Sequence, residues 1–381
     1  MKKYKRRFLA LFILSIALVG FPQGQEDKIL IGSSLALSGH ASFLGNEYIK
    51  GARAFINYIN GQEGIEGKKI ELIVLDDGYD PKRCAKNTLM LINENKVFAL
   101  FCYIGTPTTL YVLPLISSHK IPLIGVFSGA LALREPFNPY IINIRASYHR
   151  EINEFITHCI EDLDKRKVAI LYQYDAYGMD GLKATENALR KYNLALVAEG
   201  DYRRGTVDVE RAVKTIEDSR AEAVVMVGTY SPIAKFIRLC KGNGYKPLFY
   251  SVSFVGAEAL LRELGEDADG VIVSQVVPLP HEERFPAVRE YKELLDEYFP
   301  KSEPTLVGFE GFINSKIFVE GIRRCGSNLT RDNFIRAIES INDLDIGIGT
   351  DINFGSTDHQ GLDKVYFTIL SNGRLEHLEE W

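Results

Sequence analysis

Residues 51–81 read GARAFINYINGQEGIEGKKIELIVLDDGYDP, and the order of elements in this stretch decides the fold. Its first part closes a helix that runs from Leu44 to Asn60. Its middle, KIELIVLD from Lys69 to Asp76, reads as a β-strand. Asp80 and Pro81 then read as a helix N-cap and first helical residue, because an aspartate accepts from the free first-turn amides and proline has no N–H to leave unpaired. That helix runs to about Asn93, so helix, strand and helix follow one another with short connections.

The alternation continues in both directions. Lys28 to Leu37 reads as a strand. Beyond the opening stretch come strand Val97 to Cys102, helix Thr108 to Ser118, and strands Ile121 to Val126 and Tyr140 to Ile144. A second series starts at His149, with helix Arg150 to Leu163, strand Lys167 to Gln173, helix Met179 to Tyr192 and strand Ala195 to Tyr202. Helix Val209 to Ser219, strand Ala223 to Val227, helix Ile233 to Lys241 and strands Leu248 to Ser251 and Val271 to Val277 complete it. Strands separated by helices build parallel sheets covered on both faces. Two series therefore predict an α/β protein of two lobes. Three helices between 286 and 340 and a β-like segment near Val365 to Leu370 are too little for a third domain, so they are expected to complete the two lobes, and the chain must cross between them more than once.

The 381 residues are 46% apolar and 25% charged, a globular composition that excludes disordered, collagen-like and polytopic membrane classes. Lys2 to Arg7 form a basic segment, followed by thirteen mostly apolar residues from Phe8 to Gly20, which reads as a signal peptide over residues 1–24. No cysteine near that junction offers a thiol for lipid attachment. The segment carries five of the 45 basic side chains, leaving 40 against 50 acids, a net of −10. That charge argues against nucleic acid or an anionic membrane surface as partner. Five cysteines (Cys84, Cys102, Cys159, Cys240, Cys325) form no CxxC pair; Cys84 and Cys102 flank a helix and a strand and are candidates for pairing. Seven scattered histidines show no metal-ligand spacing, and neither a phosphate-binding loop nor a dinucleotide fingerprint occurs. Neither a metal nor a cofactor is expected, nor catalysis.

In open α/β sheets, ligands sit beyond the carboxyl ends of the strands. Gly105, Thr106, Pro107 and Thr108 follow one strand there. Thr106 reads as a cap and Pro107 as the first helical residue, a donor-rich helix start suited to an anion. Phe127, Ser128, Gly129 and Ala130 follow the next strand, with the Ser128 hydroxyl and a close-approach glycine. Tyr148 at the expected interlobe crossing, Asp175 and Tyr177 in YDAYG, Tyr230 in VGTYS, and Ser253 with Phe254 in SVSFVG supply aromatic and hydroxyl groups from the second series.

At these residues the chain resembles the type I periplasmic solute-binding proteins of ABC importers, in the branched-chain amino-acid receptor branch. KILIGSSLALSG, the opening stretch, GTPTTLYVLPLISSHKIPLIG, INIRASYHREI, DAYGMDGL and the HQG near position 360 are similar, in order, to that family's segments. The resemblance implies two Rossmann-like lobes with parallel sheets joined by a three-crossing hinge, near residues 145–149, 276–281 and 350–358. It places 25–146 plus 279–353 in the first lobe and 147–278 plus 354–381 in the second. It implies an exported periplasmic protein, monomeric, that captures a small solute between the lobes and delivers it to membrane permease subunits. Carried over by position, Thr106 and Thr108 fall where the family binds a ligand carboxylate, Ser128 lies in the second ligand loop, Tyr177 and Tyr230 match second-lobe contacts, and Phe43 or Leu44 lies in the first-strand loop. Relatives that bind α-amino acids place an acid where this chain has Ser253, so the ligand is not expected to be an α-amino acid unless Asp175, Glu258 or Glu310 replaces that charge. The family disulfide is not kept, its positions falling on Tyr79 and Gly105. A ligand-sensing subunit for a membrane kinase or chemoreceptor is the second reading, and a secreted enzyme on the same scaffold the third.

Overall fold

A computed structural model of the chain describes residues 28–378 together with 380 and 381. The signal peptide read over residues 1–24 lies outside the described residues. In the first lobe, β1 (Lys28–Leu35), α1 (Ser42–Gly61), β2 (Lys69–Asp76), α2 (Pro81–Asn93), β3 (Ala99–Phe101), α3 (Thr106–His119), β4 (Leu123–Ile124) and β5 (Ile141–Ile142) follow in order. They make a five-stranded parallel sheet in the order β2-β1-β3-β4-β5. The second lobe contains α4 (Tyr148–Glu161), β6 (Val168–Gln173), α5 (Ala176–Arg190), β7 (Ala198–Tyr202), α6 (Glu210–Asp218), β8 (Ala223–Val227), α7 (Tyr230–Gly242), β9 (Leu248–Ser251), α8 (Ala257–Leu264) and β10 (Ile272–Gln275).

The chain then returns to the first lobe. Helices α9 (Pro286–Tyr298) and α10 (Leu306–Cys325) pack on α1, with α11 (Arg331–Glu339) on α10 and a short ribbon of β11 (Leu344–Asp345) and β12 (Asp351–Ile352) beyond. A last crossing brings β13 (Tyr366–Ser371) and β14 (Arg374–His377) to the second sheet, whose order is β14-β13-β10-β9-β8-β6-β7. β13 runs antiparallel to β10 and pairs with β14 as a hairpin, the two departures from parallel pairing in that sheet. The first and last crossings run side by side: Asn143 N–H donates to His359 O at 2.9 Å, and Leu362 N–H to Ile144 O at 2.8 Å.

The central strands β6 and β8 are buried along their whole length, as expected of strands covered on both faces. Asp80 caps α2 by accepting from Arg83 N–H at 2.9 Å, as its sequence predicts. Helices α1 and α10 cross in close contact because glycines line the crossing. A Cβ on Gly51 would stand 1.7 Å from Gly308 O, and one on Gly311 would stand 2.0 Å from Tyr48 O.

Three local expectations differ from the structure. The cap of α3 is Gly105, at φ 95, so Thr106 and Pro107 occupy the first two helical positions. Helix α5 begins three residues earlier than its apolar pattern suggests because Asp175 caps it. Helix α8, eight residues long, is too short to announce itself by periodicity. All five cysteines are buried and unpaired, including Cys84 and Cys102. Among the described residues no helix is long and apolar enough to cross a membrane, and no cluster of three His, Cys, Asp or Glu residues could hold a metal.

Candidate functional site

The carboxyl ends of both sheets face each other, and the loops that leave them meet between the lobes. From the first lobe, Gly105 brings the start of α3 against the turn after β2. Its left-handed backbone leaves no room for a side chain: a Cβ there would lie 2.2 Å from the Tyr79 ring. Tyr79 and Gly105 are thus neighbours. The Thr106 and Ser128 hydroxyls are 2.7 Å apart and bonded to each other. Thr108 turns its hydroxyl back onto its own helix, donating to Ile104 O and Gly105 O. Gly129 accepts from Tyr148 N–H at 2.8 Å, and a Cβ on Gly129 would meet that same backbone nitrogen at 2.6 Å.

From the second lobe, the turn after β9 delivers Ser253 and Phe254. The Phe254 ring is fully buried between the lobes. Its centroid lies 5.3 Å from Phe127 and 6.1 Å from Tyr79 of the first lobe, and 4.7 Å from Tyr177 and 6.5 Å from Tyr148. Tyr148 and Tyr177 also pack on each other at 5.1 Å. Burial raises the phenols of Tyr79, Tyr148 and Tyr177, so each keeps its proton and remains a donor. Toward the edge of this cluster, Phe43 and Tyr230 meet edge to face at 6.2 Å. Two second-lobe guanidiniums lie over first-lobe rings, Arg204 over Tyr79 at 4.3 Å and Arg262 over Phe43 at 4.6 Å.

The connecting segment between the lobes carries Arg145, 1% exposed. Its guanidinium lies 4.5 Å from the Phe127 centroid, and its Nη2 donates to Ser253 Oγ. Ser253 in turn donates from N–H and Oγ to Glu151, at 2.8 and 3.0 Å, and Ser274 Oγ donates to the same carboxylate. Glu310 Oε1 stands 3.6 Å from Arg145 Nε, and burial pushes the Glu310 carboxyl above its ordinary range against the pull of Arg145. Asp175 is engaged as the cap of α5, accepting from Tyr177 N–H at 2.9 Å and Gly178 N–H at 3.3 Å, and from Gln173 Nε2 at 2.6 Å.

Thr106, Ser128, Gly129, Tyr148, Tyr177 and Ser253 therefore come together around Phe254, while Phe43 and Tyr230 pair beside them. Thr108 and Asp175 are close by, with the Thr108 hydroxyl committed to the backbone and the Asp175 carboxylate to two helix amides and the Gln173 side chain. The sequence reading did not single out Tyr79, Arg145 or Glu151. An arginine within the apolar run IINIRAS was the available signal for Arg145, since a buried guanidinium demands partners. The sequence leads to an expectation of a donor-lined gap. The first-wall hydroxyls instead satisfy each other, since the start of α3 and the loop after β4 lie side by side in the first lobe, and Phe254 occupies the space between the lobes.

Two α/β lobes joined by three crossings, with converging loops between them, define a bilobal binding protein. The profile of the family described as Periplasmic binding protein matches residues 28–374, and the chain belongs to that family. A Leu/Ile/Val-binding protein homolog 7 from Brucella abortus (strain 2308) is 21% identical over 338 residues, covering 84% of this chain and 82% of its own length. Among solved structures, a possible leucine/isoleucine/valine-binding protein from Rhodopirellula baltica SH 1 is 34% identical with a TM-score of 0.89, covering 93% of this chain and 96% of that one. A fatty acid ABC transporter substrate-binding protein from Thermomonospora curvata shares the fold at 21% identity and a TM-score of 0.85, over 93% and 92% of the two chains.

Proposed function

We propose that the protein is the extracytoplasmic solute receptor of an ABC importer, capturing a small carboxylate-bearing or polar solute between its lobes and handing it to the permease. The observation that carries this reading is the interlobe cluster itself. Loops from both sheets converge on one buried site whose Tyr79 and Tyr148 hydroxyls and Arg145 guanidinium have donors without acceptors. Buried donors left open cost about 1–3 kcal/mol each, so a solute that supplies acceptors stabilises the closed form. Thr106 and Ser128, at the start of α3 and in the loop after β4, are assigned to the solute carboxylate. The other expected contacts are Phe43, Tyr148, Tyr177, Tyr230 and Ser253, with Gly129 allowing close approach.

In this proposal the first lobe comprises 25–146 plus 279–353 and the second 147–278 plus 354–381, with β5 and β6 on opposite sides of the first crossing. The chain acts as a monomer, is exported by its amino-terminal segment, and binds without catalysing a reaction. The relatives' names, with leucine, isoleucine and valine in one and fatty acid in another, support a carboxylate at one end of the solute and an apolar body at the other. Entry requires the lobes to part and Phe254 to leave its place between them.

Small-angle scattering of protein stripped of solute by unfolding and refolding, then recombined with what co-purified, tests the reading. A radius of gyration that falls on recombination is expected. Co-purification of no solute, with no compaction by any carboxylate screened, refutes it.

A further inference from the structure

Acids gather where the lobes meet, and they are not all offset alike. Glu310 of the first lobe and Glu151 of the second share the Arg145 guanidinium, at 3.6 and 3.9 Å, so a cation stands between the two charges. Asp180 of α5 accepts from Leu131 N–H of the first lobe at 3.1 Å, and His149, also of the second lobe, is 3.7 Å from the same oxygen. Glu258 is placed differently. Its Oε1 accepts from Leu306 N–H across the lobe boundary at 2.6 Å, and its Oε2 is buried without a partner. From α1 it meets Glu47, which pairs with Lys50 at 2.7 Å and accepts from the Thr305 hydroxyl at 3.3 Å. From α9 it meets Tyr291, a phenol that burial keeps protonated and that accepts from Thr305 N–H at 3.5 Å. Arg262, on its own helix, donates from Nε to the Glu258 main-chain carbonyl at 3.3 Å and lies over the Phe43 ring.

We infer that closing of the lobes takes up a proton at Glu258, so that mildly acidic surroundings favour the closed, solute-holding form and alkaline surroundings favour the open one. This rests on the receptor reading. With the lobes apart, Glu258 is separated from α1 and α10 and faces water; closing buries it against both. Burial, the largest effect, raises the carboxyl from 4.5 to about 7, with the Leu306 amide opposing and Glu47 adding to the rise. The closed form therefore has the higher value, and its advantage is present at acid pH and lost as the pH climbs through 7. From pH 8 to pH 6 the ratio of closed to open protein should rise about tenfold on this account.

The neighbouring titratable groups do not produce this effect. His40 works in the opposite sense: burial and Arg204, which reaches it from the second lobe, lower it from 6.5, so closing expels a proton there. Asp77 is raised to about 6, but its partners Ser34 and Tyr79 N–H belong to its own lobe, so it titrates alike in both forms. His149 and Asp180 likewise share a lobe.

The test is small-angle scattering of the solute-stripped full chain at pH 6 and pH 8, at one ionic strength, beside Glu258→Gln and Glu258→Ala. The parent should have the smaller radius of gyration at pH 6. Glutamine keeps an oxygen for Leu306 N–H and takes up no proton, so that variant should stay compact at pH 8. Alanine also removes the bond to α10, so that variant should show the larger radius at both pH values. A parent radius that is the same at both, or a Glu258→Gln protein that contracts on acidification as much as the parent, overturns the inference. Compaction by the co-purified solute at a fixed pH decides the receptor reading separately: with compaction but no pH dependence the receptor reading stands and the proton coupling falls, and with the reverse result the proton coupling of closing stands alone.

Discussion

Glu258→Gln should raise stability at pH 8 and change little at pH 5. Glu258 sits in the first turn of α8 in the second lobe, and its Oε1 accepts from Leu306 N–H, the first residue of α10 in the first lobe, at 2.6 Å. The other oxygen, Oε2, is buried without a partner. A second acid, Glu47, is close: it accepts from the Thr305 hydroxyl at 3.3 Å and pairs with Lys50 at 2.7 Å. The N-terminal dipole of α10 favours the Glu258 carboxylate by about 0.3–1 kcal/mol. Burial works against it and wins, pushing the carboxyl up to about 7 from an ordinary 4.5, with Glu47 adding to the rise and Arg262 opposing it.

Such a rise is worth roughly 3 kcal/mol as a ceiling. Because the folded value lies above the unfolded one, the stabilisation is complete below pH 4.5 and is lost as pH climbs through 7. Glutamine keeps an oxygen for Leu306 N–H and carries no charge to bury. The midpoint of thermal unfolding of the variant, measured against the parent at each pH, should differ little at pH 5. At pH 8 the variant should melt higher, by up to roughly 6–12 °C. Glu310 and Asp77, whose carboxyls burial also raises, titrate in both proteins and cancel in the difference. A difference that stays constant from pH 5 to pH 8 refutes the reasoning.

Gly51→Ala should destabilise the first lobe by at least the 1–3 kcal/mol or so typical of overpacking, since the new methyl meets the α10 backbone at Gly308 O; chemical denaturation measures it, and a loss below about 0.5 kcal/mol contradicts the packing described. Arg204→Ala removes a guanidinium of the second lobe from the Tyr79 face of the first, a contact worth about 0.5–2 kcal/mol. Scattering of the solute-free protein should then show a larger radius of gyration, and an unchanged one would mean that this contact does not hold the lobes together. Thr106→Ala breaks the hydroxyl pair with Ser128 and should weaken capture of the co-purified solute by about 1–3 kcal/mol with folding nearly intact; equal affinities by calorimetry would remove Thr106 from the site.

Local signals were enough for most elements, because helix caps, strand composition and element length act within a few residues. β2 and α2 lie where KIELIVLD and the Asp80-Pro81 cap place them, and β8 and β9 match their expected limits. The alternation of helix and strand was likewise enough for two α/β lobes, since a parallel sheet needs a crossover between consecutive strands. Loop chemistry at strand ends brought out Thr106, Ser128, Tyr177 and Ser253 before any geometry was known. Pairings across many residues were beyond that reach. Phe254 filling the space against Phe127 and Tyr79, Arg145 reaching Ser253 across 108 positions, and Glu258 capping a helix of the opposite lobe all depend on how the lobes meet. Whether a hydroxyl or a guanidinium is free for a solute depends on which partner closure brings within 3 Å. That distance is set by the packing of whole lobes, and no stretch of chain a few residues long encodes it.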